Sequence, residues 1–209
     1  MIKPIQNGLS PASSHQRQRG VVLVIALIVL VSMTLAAIGM SRSIDTANLV
    51  AGNLSFKQSA LSAADKGIEA GYAWLIANSG TATLNSTNLA RGYYSSRAVP
   101  EPNWTAEATW ADSVTLDNGD ADAAGNVISY IIQRMCTEPD TAYNGTGASG
   151  QSNQCAQFVE TIATPAGASQ NTGAVVFQGN PHVYYRITAR SQGPQNTESH
   201  VQVMVSIPL

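Results

Sequence analysis

Twenty consecutive residues, 21–40, carry no charged side chain, and only Ser32, Thr34 and Gly39 interrupt an otherwise apolar run. As a helix rising about 1.5 Å per residue, the run measures about 30 Å, the thickness of a bilayer hydrocarbon core. The chain is therefore expected to insert in a membrane, and everything after the run is either cargo or a continuation of that helix. Immediately before the run stands Arg17-Gln18-Arg19-Gly20, so a basic segment meets the apolar one with a glycine at the seam. Residues 1–20 contain Pro4, Gly8, Pro11 and paired Ser13-Ser14 with no apolar periodicity, which predicts a disordered leader.

Charge sets the orientation and excludes one class of partner. Lys3, Arg17 and Arg19 precede the run, whereas only Arg42 follows it closely, with Asp45 beside it. That asymmetry predicts a cytoplasmic N-terminus and an exported C-terminal part. Removing the leader's three basic residues from the 11 Lys and Arg leaves eight against 13 acidic residues, a net charge of −5. The eight are scattered, so nucleic acid is not an expected partner, because tracking phosphates requires clustered Lys and Arg. In an exported setting Cys136 and Cys155 can form and keep a disulfide.

Helical pattern continues past the apolar run. Small or apolar residues recur at Ile44, Ala47, Ala51, Leu54, Leu61, Ala64, Ile68, Tyr72 and Leu75, in steps of three, four or seven. Ala47, Leu54, Leu61, Ile68 and Leu75 keep a strict seven-residue spacing, with polar Asn53, Lys57, Gln58, Asp65, Lys66 and Glu69 between them. No proline occurs from 21 to 78. One helix over 21–78 is predicted, apolar all round in its first half and amphipathic in its second. Gly52, Gly67 and Gly71 weaken it by somewhat under ~1 kcal/mol each, so the outer half needs a packed partner, and the stripe is expected to hold a sheet. Asn78-Ser79-Gly80 ends it, and residues 79–103 read as a connecting loop with a short helix around 86–91.

Residues 104–209 read as strands. Trp104, Ala106, Ala108 and Trp110 alternate with polar neighbours; 127–135 is rich in β-branched and aromatic residues. Val183, Tyr185, Ile187 and Ala189 alternate again, as do Val201, Val203, Val205 and Ile207, with Gly193-Pro194 as the turn between the two runs. The fold class expected is α+β: one long N-terminal helix laid on a small antiparallel sheet of about four strands.

Catalytic chemistry has little support. His15 falls in the leader, His182 and His200 at strand starts, and no nucleophile elbow, phosphate loop or zinc helix occurs. No cofactor is called for. Asp117, Asp120 and Asp122 form the single acidic cluster, and such oxygens can hold Ca²⁺. Read as an EF-type loop from Asp120, Asp122 and Gly125 fit, but Ala124 and Ile131 stand where ligands belong, and a solvated turn between strands is the preferred reading. Trp104 and Trp110 read first as core aromatics beneath the helix and second as a binding surface. The Gly20 junction admits three readings: a plain signal anchor, a cleaved secretory signal, and a cut on the cytoplasmic side that leaves Val21 as a new N-terminus. The length of the run and the lack of an Ala-x-Ala site disfavour the second.

These residues carry a family resemblance. Gly20, the helix from Val21 and the C-terminal sheet resemble a type IV pilin precursor. Arg17 to Ile25, with Ala51-Gly52-Asn53 and Ala63-Ala64-Asp65, resembles the N-terminal pattern of PilX-type minor pilins, and the run from Tyr185 to Pro194 is similar to the ending usual in that group. The N-terminal part covers about a third of the chain, the tail a short piece more, and the middle is unmatched.

The resemblance implies that a prepilin peptidase cuts after Gly20 and methylates the amine of Val21, and that the helix leaves the membrane for a filament. Its implied partners are other minor pilins, the major pilin, the peptidase, an inner-membrane assembly platform, membrane lipid and a tip adhesin. It also makes Cys136 and Cys155 the staple of a surface loop that includes Asn144-Gly145-Thr146-Gly147. The implied location is the bacterial inner membrane in a single pass, then the filament near its tip. Two departures stand out: Val21 replaces the commoner Phe, and Ile25 occupies the position where most pilins place a Glu to neutralise a neighbour's terminal amine. A buried ammonium without its carboxylate is costly, which argues against a subunit repeated along a shaft and for a minor one. The rivals are a minor pseudopilin of a type II secretion system and a permanently anchored periplasmic binding module using Trp104, Trp110 and the tyrosines.

Overall fold

The computed structural model of the chain describes residues 20–161 and 178–209. The leader expected over 1–19 lies outside them. By internal contacts the chain divides into two units, Met1–Ala51 and Gly52–Leu209. A single helix, α1 (Val21–Ala77), supplies the described part of the first unit and the opening of the second. Within the first unit the polar interruptions are satisfied locally: Ser32 Oγ donates to Ile28 O at 2.7 Å and Thr34 Oγ1 to Val31 O at 2.8 Å. Their hydroxyls thus leave the helix surface effectively apolar.

The end of α1 follows the predicted punctuation. Asn78 Nδ2 donates back to Trp74 O at 2.8 Å, and Gly80 takes the left-handed conformation at φ +69° that closes helices. Ser79 Oγ donates to Pro208 O at 2.8 Å, which ties the helix end to the last strand.

Six strands form one mostly antiparallel sheet: β1 (Tyr93–Tyr94), β2 (Val114–Thr115), β3 (Val127–Arg134), β4 (Gln157–Thr161), β5 (Gln178–Gly193) and β6 (Thr197–Pro208). β5 is the centre, pairing β6 along one edge and β3 then β4 along the other. β1 pairs β3 in parallel, Tyr93 opposite Ile132, so the sheet is mixed and larger than the four antiparallel strands expected. The architecture, a helix with an apolar first half whose second half packs on this sheet, is pilin-like.

Alternation divides the sheet into two faces. Ile128, Tyr130 and Ile132 of β3 with Val183, Tyr185, Ile187 and Ala189 of β5 are buried under the helix. Ser129, Ile131, Gln133, Arg186, Thr188 and Arg190 take the opposite, outer face, in register as Ser129–Arg190, Ile131–Thr188 and Gln133–Arg186.

Three sequence expectations need correction. The seven-residue stripe is only partly the contact face: Leu75 is buried in the core and Ile68 packs against it, whereas Leu54 and Leu61 are 55% and 49% exposed and Ala47, in the first unit, is exposed. The residues on the sheet are Ala60, Ala63, Ala64, Gly67, Gly71 and Leu75. A helix of 3.6 residues per turn drifts off a strict heptad by about 20° each repeat, and at Gly67 and Gly71 the sheet comes too close for a side chain. The alternating segment 104–110 is not a strand. Asn103 folds it into a compact turn, accepting from Thr105 N at 3.2 Å and Thr109 Oγ1 at 2.7 Å, and Glu107–Trp110 is a 3-10 turn. Its tryptophans consequently lie on the outer face of the sheet and not beneath the helix. The segment after α1 holds two short 3-10 turns, Ala82–Asn85 and Leu89–Arg91, in place of one short helix.

Candidate functional site

Gly20, the residue before α1, is exposed and has open space around it. From Val21 the helix presents large apolar side chains on every side: Val21, Leu23, Ile25, Ile28, Leu30 and Met33 are all more than half exposed. The 18-residue window there has a mean hydropathy of 3.1 and none of it is buried, so this helix is long and apolar enough to cross a membrane. Ile25 places no charge near the helix start.

The seat of α1 on the sheet is built from absent side chains. A Cβ on Gly67 would come within 2.9 Å of Ala189 Cβ, and one on Gly71 within 2.9 Å of Ile187 Cγ2 and 3.2 Å of the Tyr130 ring. Read from sequence, these glycines only weaken the helix; in the structure they let helix and sheet backbones approach. Polar contacts pin the start of this stretch: Lys57 Nζ donates to Glu198 O at 2.6 Å, and Asn126 Nδ2 to Ser59 Oγ at 3.0 Å.

Cys136 and Cys155 are bonded to each other, closing a loop with a sequence separation of 19. A loop of that length stabilises the fold by about 3 kcal/mol. Its anchor is a residue that sequence reading placed simply in a strand. Arg134 is wholly buried, donating from Nε to Ser95 O at 2.8 Å, from Nη1 to Asn85 Oδ1 at 3.2 Å and from Nη2 to Thr141 O. Beside it Asp140 accepts from Thr87 N at 2.6 Å and Ser95 Oγ at 3.1 Å, and the Thr87 amide above all holds its carboxyl below the ordinary range. Tyr93 Oη donates to Leu84 O at 2.6 Å within the same knot, and burial raises its pKa. One guanidinium thus ties the stapled loop to the segment after α1. The one signal in the sequence was an arginine inside the apolar run of β3.

The acidic cluster is dispersed. Asp117 and Asp120 are exposed, Asp117 at φ +52°. Asp122 Oδ1 accepts from Ala124 N and Asn126 N, both at 2.9 Å, and Lys66 lies 3.6 Å from its other oxygen. Those amides, Asn126 first, lower its pKa. Asp122 thereby organises the turn before β3. Among the described residues no group of three or more His, Cys, Asp or Glu is placed to hold a metal ion. His182 and His200 do not meet: His182 pairs with Pro208 and His200 with Arg190 in register.

On the outer face two arginines of β5 support the turn that holds the tryptophans. Arg190 sits 4.7 Å from the Trp110 ring and pairs with Glu107 at 2.5 Å; Arg186 sits 5.4 Å from the Trp104 ring and pairs with Glu101 at 2.8 Å. The two indoles meet edge to face at 5.8 Å, and His200 stacks on Trp110 at 5.7 Å. Between this turn and the sheet lies a cavity of about 280 Å³ floored by Ile131, Gln133 and Tyr94 and walled by Trp104, Ala108 and Thr109.

Comparison with protein-family models, with curated proteins and with solved structures returns no match for this chain. The fold and the site geometry therefore carry the functional reading by themselves.

Proposed function

We propose that the chain is a minor subunit of a type IV pilus, of the PilX type, made as an inner-membrane precursor and drawn into the filament by helix packing with other minor pilins. The observation that carries this reading is the start of α1. A glycine with a basic leader before it abuts a helix whose first turns are apolar on every side, and the same helix ends as the seat of a disulfide-stapled sheet. A segment of that kind is stable among lipid tails or among the apolar helices of neighbouring subunits. Exposed Leu54 and Leu61 extend the apolar surface available to those neighbours.

Its work is non-enzymatic in this reading: it seeds or caps the filament and supports a tip adhesin. Ile25, where a shaft subunit carries a carboxylate for the neighbouring amine, fits a subunit used once or a few times per filament. Mass spectrometry of the mature N-terminus tests the proposal. A chain beginning at N-methylated Val21 is expected, and replacing Gly20 by a bulky residue should leave the uncut precursor in the membrane. An intact Met1 on protein recovered from cells, or normal processing of the Gly20 variant, would overturn it.

A further inference from the structure

The cavity on the outer face of the sheet is an assembled pocket of mixed chemistry, and packing alone does not account for it. Its floor residue Gln133 is 4% exposed, yet only half of its amide is used. Oε1 accepts from both Nε and Nη2 of Arg186. Because a guanidinium can only donate, that contact sets which end of the amide is oxygen and turns the NH₂ away from it. The NH₂ has no hydrogen-bond partner among the described residues. Arg186 is itself held by Glu101 at 2.8 Å, so the donor is fixed before anything binds.

The rest of the lining supplies complementary groups. Tyr94 Oη donates to Asp112 Oδ2 at 3.1 Å; burial, with Asp112 beside it, pushes the phenol's pKa up to about 12. Its proton is thus committed, and Asp112 Oδ1 stays available as an acceptor. Arg97 lines the mouth, with no carboxylate paired to it among the described residues. The rings of Tyr94 and Trp104 provide flat apolar surface in the lining. At about 280 Å³ the cavity is at the small end of ligand pockets, the size of a single ring and not of an extended chain.

We propose that this cavity is a carbohydrate site that takes one pyranose ring. A pyranose has a C–H face suited to an aromatic wall and an edge of adjacent hydroxyls, each both donor and acceptor. Asp112 accepts from that edge, while the Gln133 amide and the Arg97 guanidinium donate to it. A phosphate group would be opposed by Asp112 at the same mouth, and an extended peptide would need a strand edge where the pocket has a sheet face. The site lies on the sheet face opposite the second half of α1, and the proposal does not depend on the pilin reading.

The test uses the full chain in lipid nanodiscs, which avoids sugar-headed detergents. Methyl glucoside, methyl galactoside, methyl mannoside and methyl N-acetylglucosaminide are offered as probes, read by saturation-transfer NMR and by quenching of tryptophan fluorescence. At least one is expected to bind, and Asp112→Asn and Arg97→Ala should each weaken it tenfold or more with circular dichroism unchanged. Both residues are exposed, so neither substitution disturbs the core. Absence of binding by all four probes at tens of millimolar, undiminished binding in both variants, or equal binding of an acyclic polyol or a nucleoside would overturn the proposal.

Discussion

Gly67 rests on Ala189 so closely that a methyl group on the glycine would stand 2.9 Å from the alanine's Cβ. Neither atom is the end of a flexible chain, so a larger residue at 67 must move the helix off β5. Gly67→Val should lower stability by about 2 kcal/mol through overpacking, read as a drop in melting temperature. Gly52, with open space around it, is the control: Gly52→Ala should stabilise by roughly 0.5–1 kcal/mol because alanine is the better helix former. A Gly67→Val variant as stable as the parent would show that the helix does not sit on this face.

Exchange of neighbouring positions on α1 separates the contact face from the heptad stripe. Ala64 is fully buried whereas Leu61, three residues earlier, is half exposed. Ala64→Leu should destabilise by about 2 kcal/mol, and Leu61→Gln should change stability by no more than about 0.5 kcal/mol. Thermal melts of the two variants in nanodiscs decide it.

Arg134 makes its three contacts from inside the protein. Lysine cannot reproduce a planar fork, so Arg134→Lys should cost roughly 3 kcal/mol, since hydrogen bonds made by charged groups contribute most where they are buried. The loss should be local as well as global: limited proteolysis should cut the loop between Cys136 and Cys155 faster than in the parent chain.

Removing the staple acts through the unfolded chain. The pair Cys136→Ala and Cys155→Ala should cost about 3 kcal/mol while leaving the sheet's circular dichroism in place. Reduction of the parent protein should produce the same shift in melting temperature.

Acid should unfold the second unit for a nameable reason. Asp140, Asp122 and Glu107 all have pKa values lowered in the fold, by the Thr87 amide, the Asn126 amide and the Arg190 side chain respectively. A carboxyl depressed below its unfolded value of about 3.9–4.3 contributes stability above that value and loses it as pH falls through the folded one. Stability should therefore vary little between about pH 8 and 5 on account of these groups and decline below about pH 4. Asp140→Asn should shallow that acid limb, and a parent protein that gained stability on acidification would contradict the assignment.

How much of this was legible beforehand differs from element to element. The helix from Val21 to Ala77 was readable because its signals are local: twenty apolar residues, no proline, and Asn78-Ser79-Gly80 as a stop. β5 and β6 were readable from alternation, β3 from its β-branched and aromatic residues, and a disulfide between the two cysteines from the expected setting. The same period-two rule failed at 104–110, where one asparagine side chain competes for the backbone and wins.

By itself, then, the sequence determined the long helix, three of the strands and the pairing partners available to two cysteines, because chain-local periodicity and turn chemistry encode conformation directly. Tertiary structure alone decided which face of α1 meets the sheet, that β1 runs parallel to β3, that Arg134 becomes a buried tie, and that Trp104 and Gln133 line one pocket. Each of those depends on how closely two distant segments approach. That distance is set by the fit of their side chains, and at Gly67 and Gly71 by their absence.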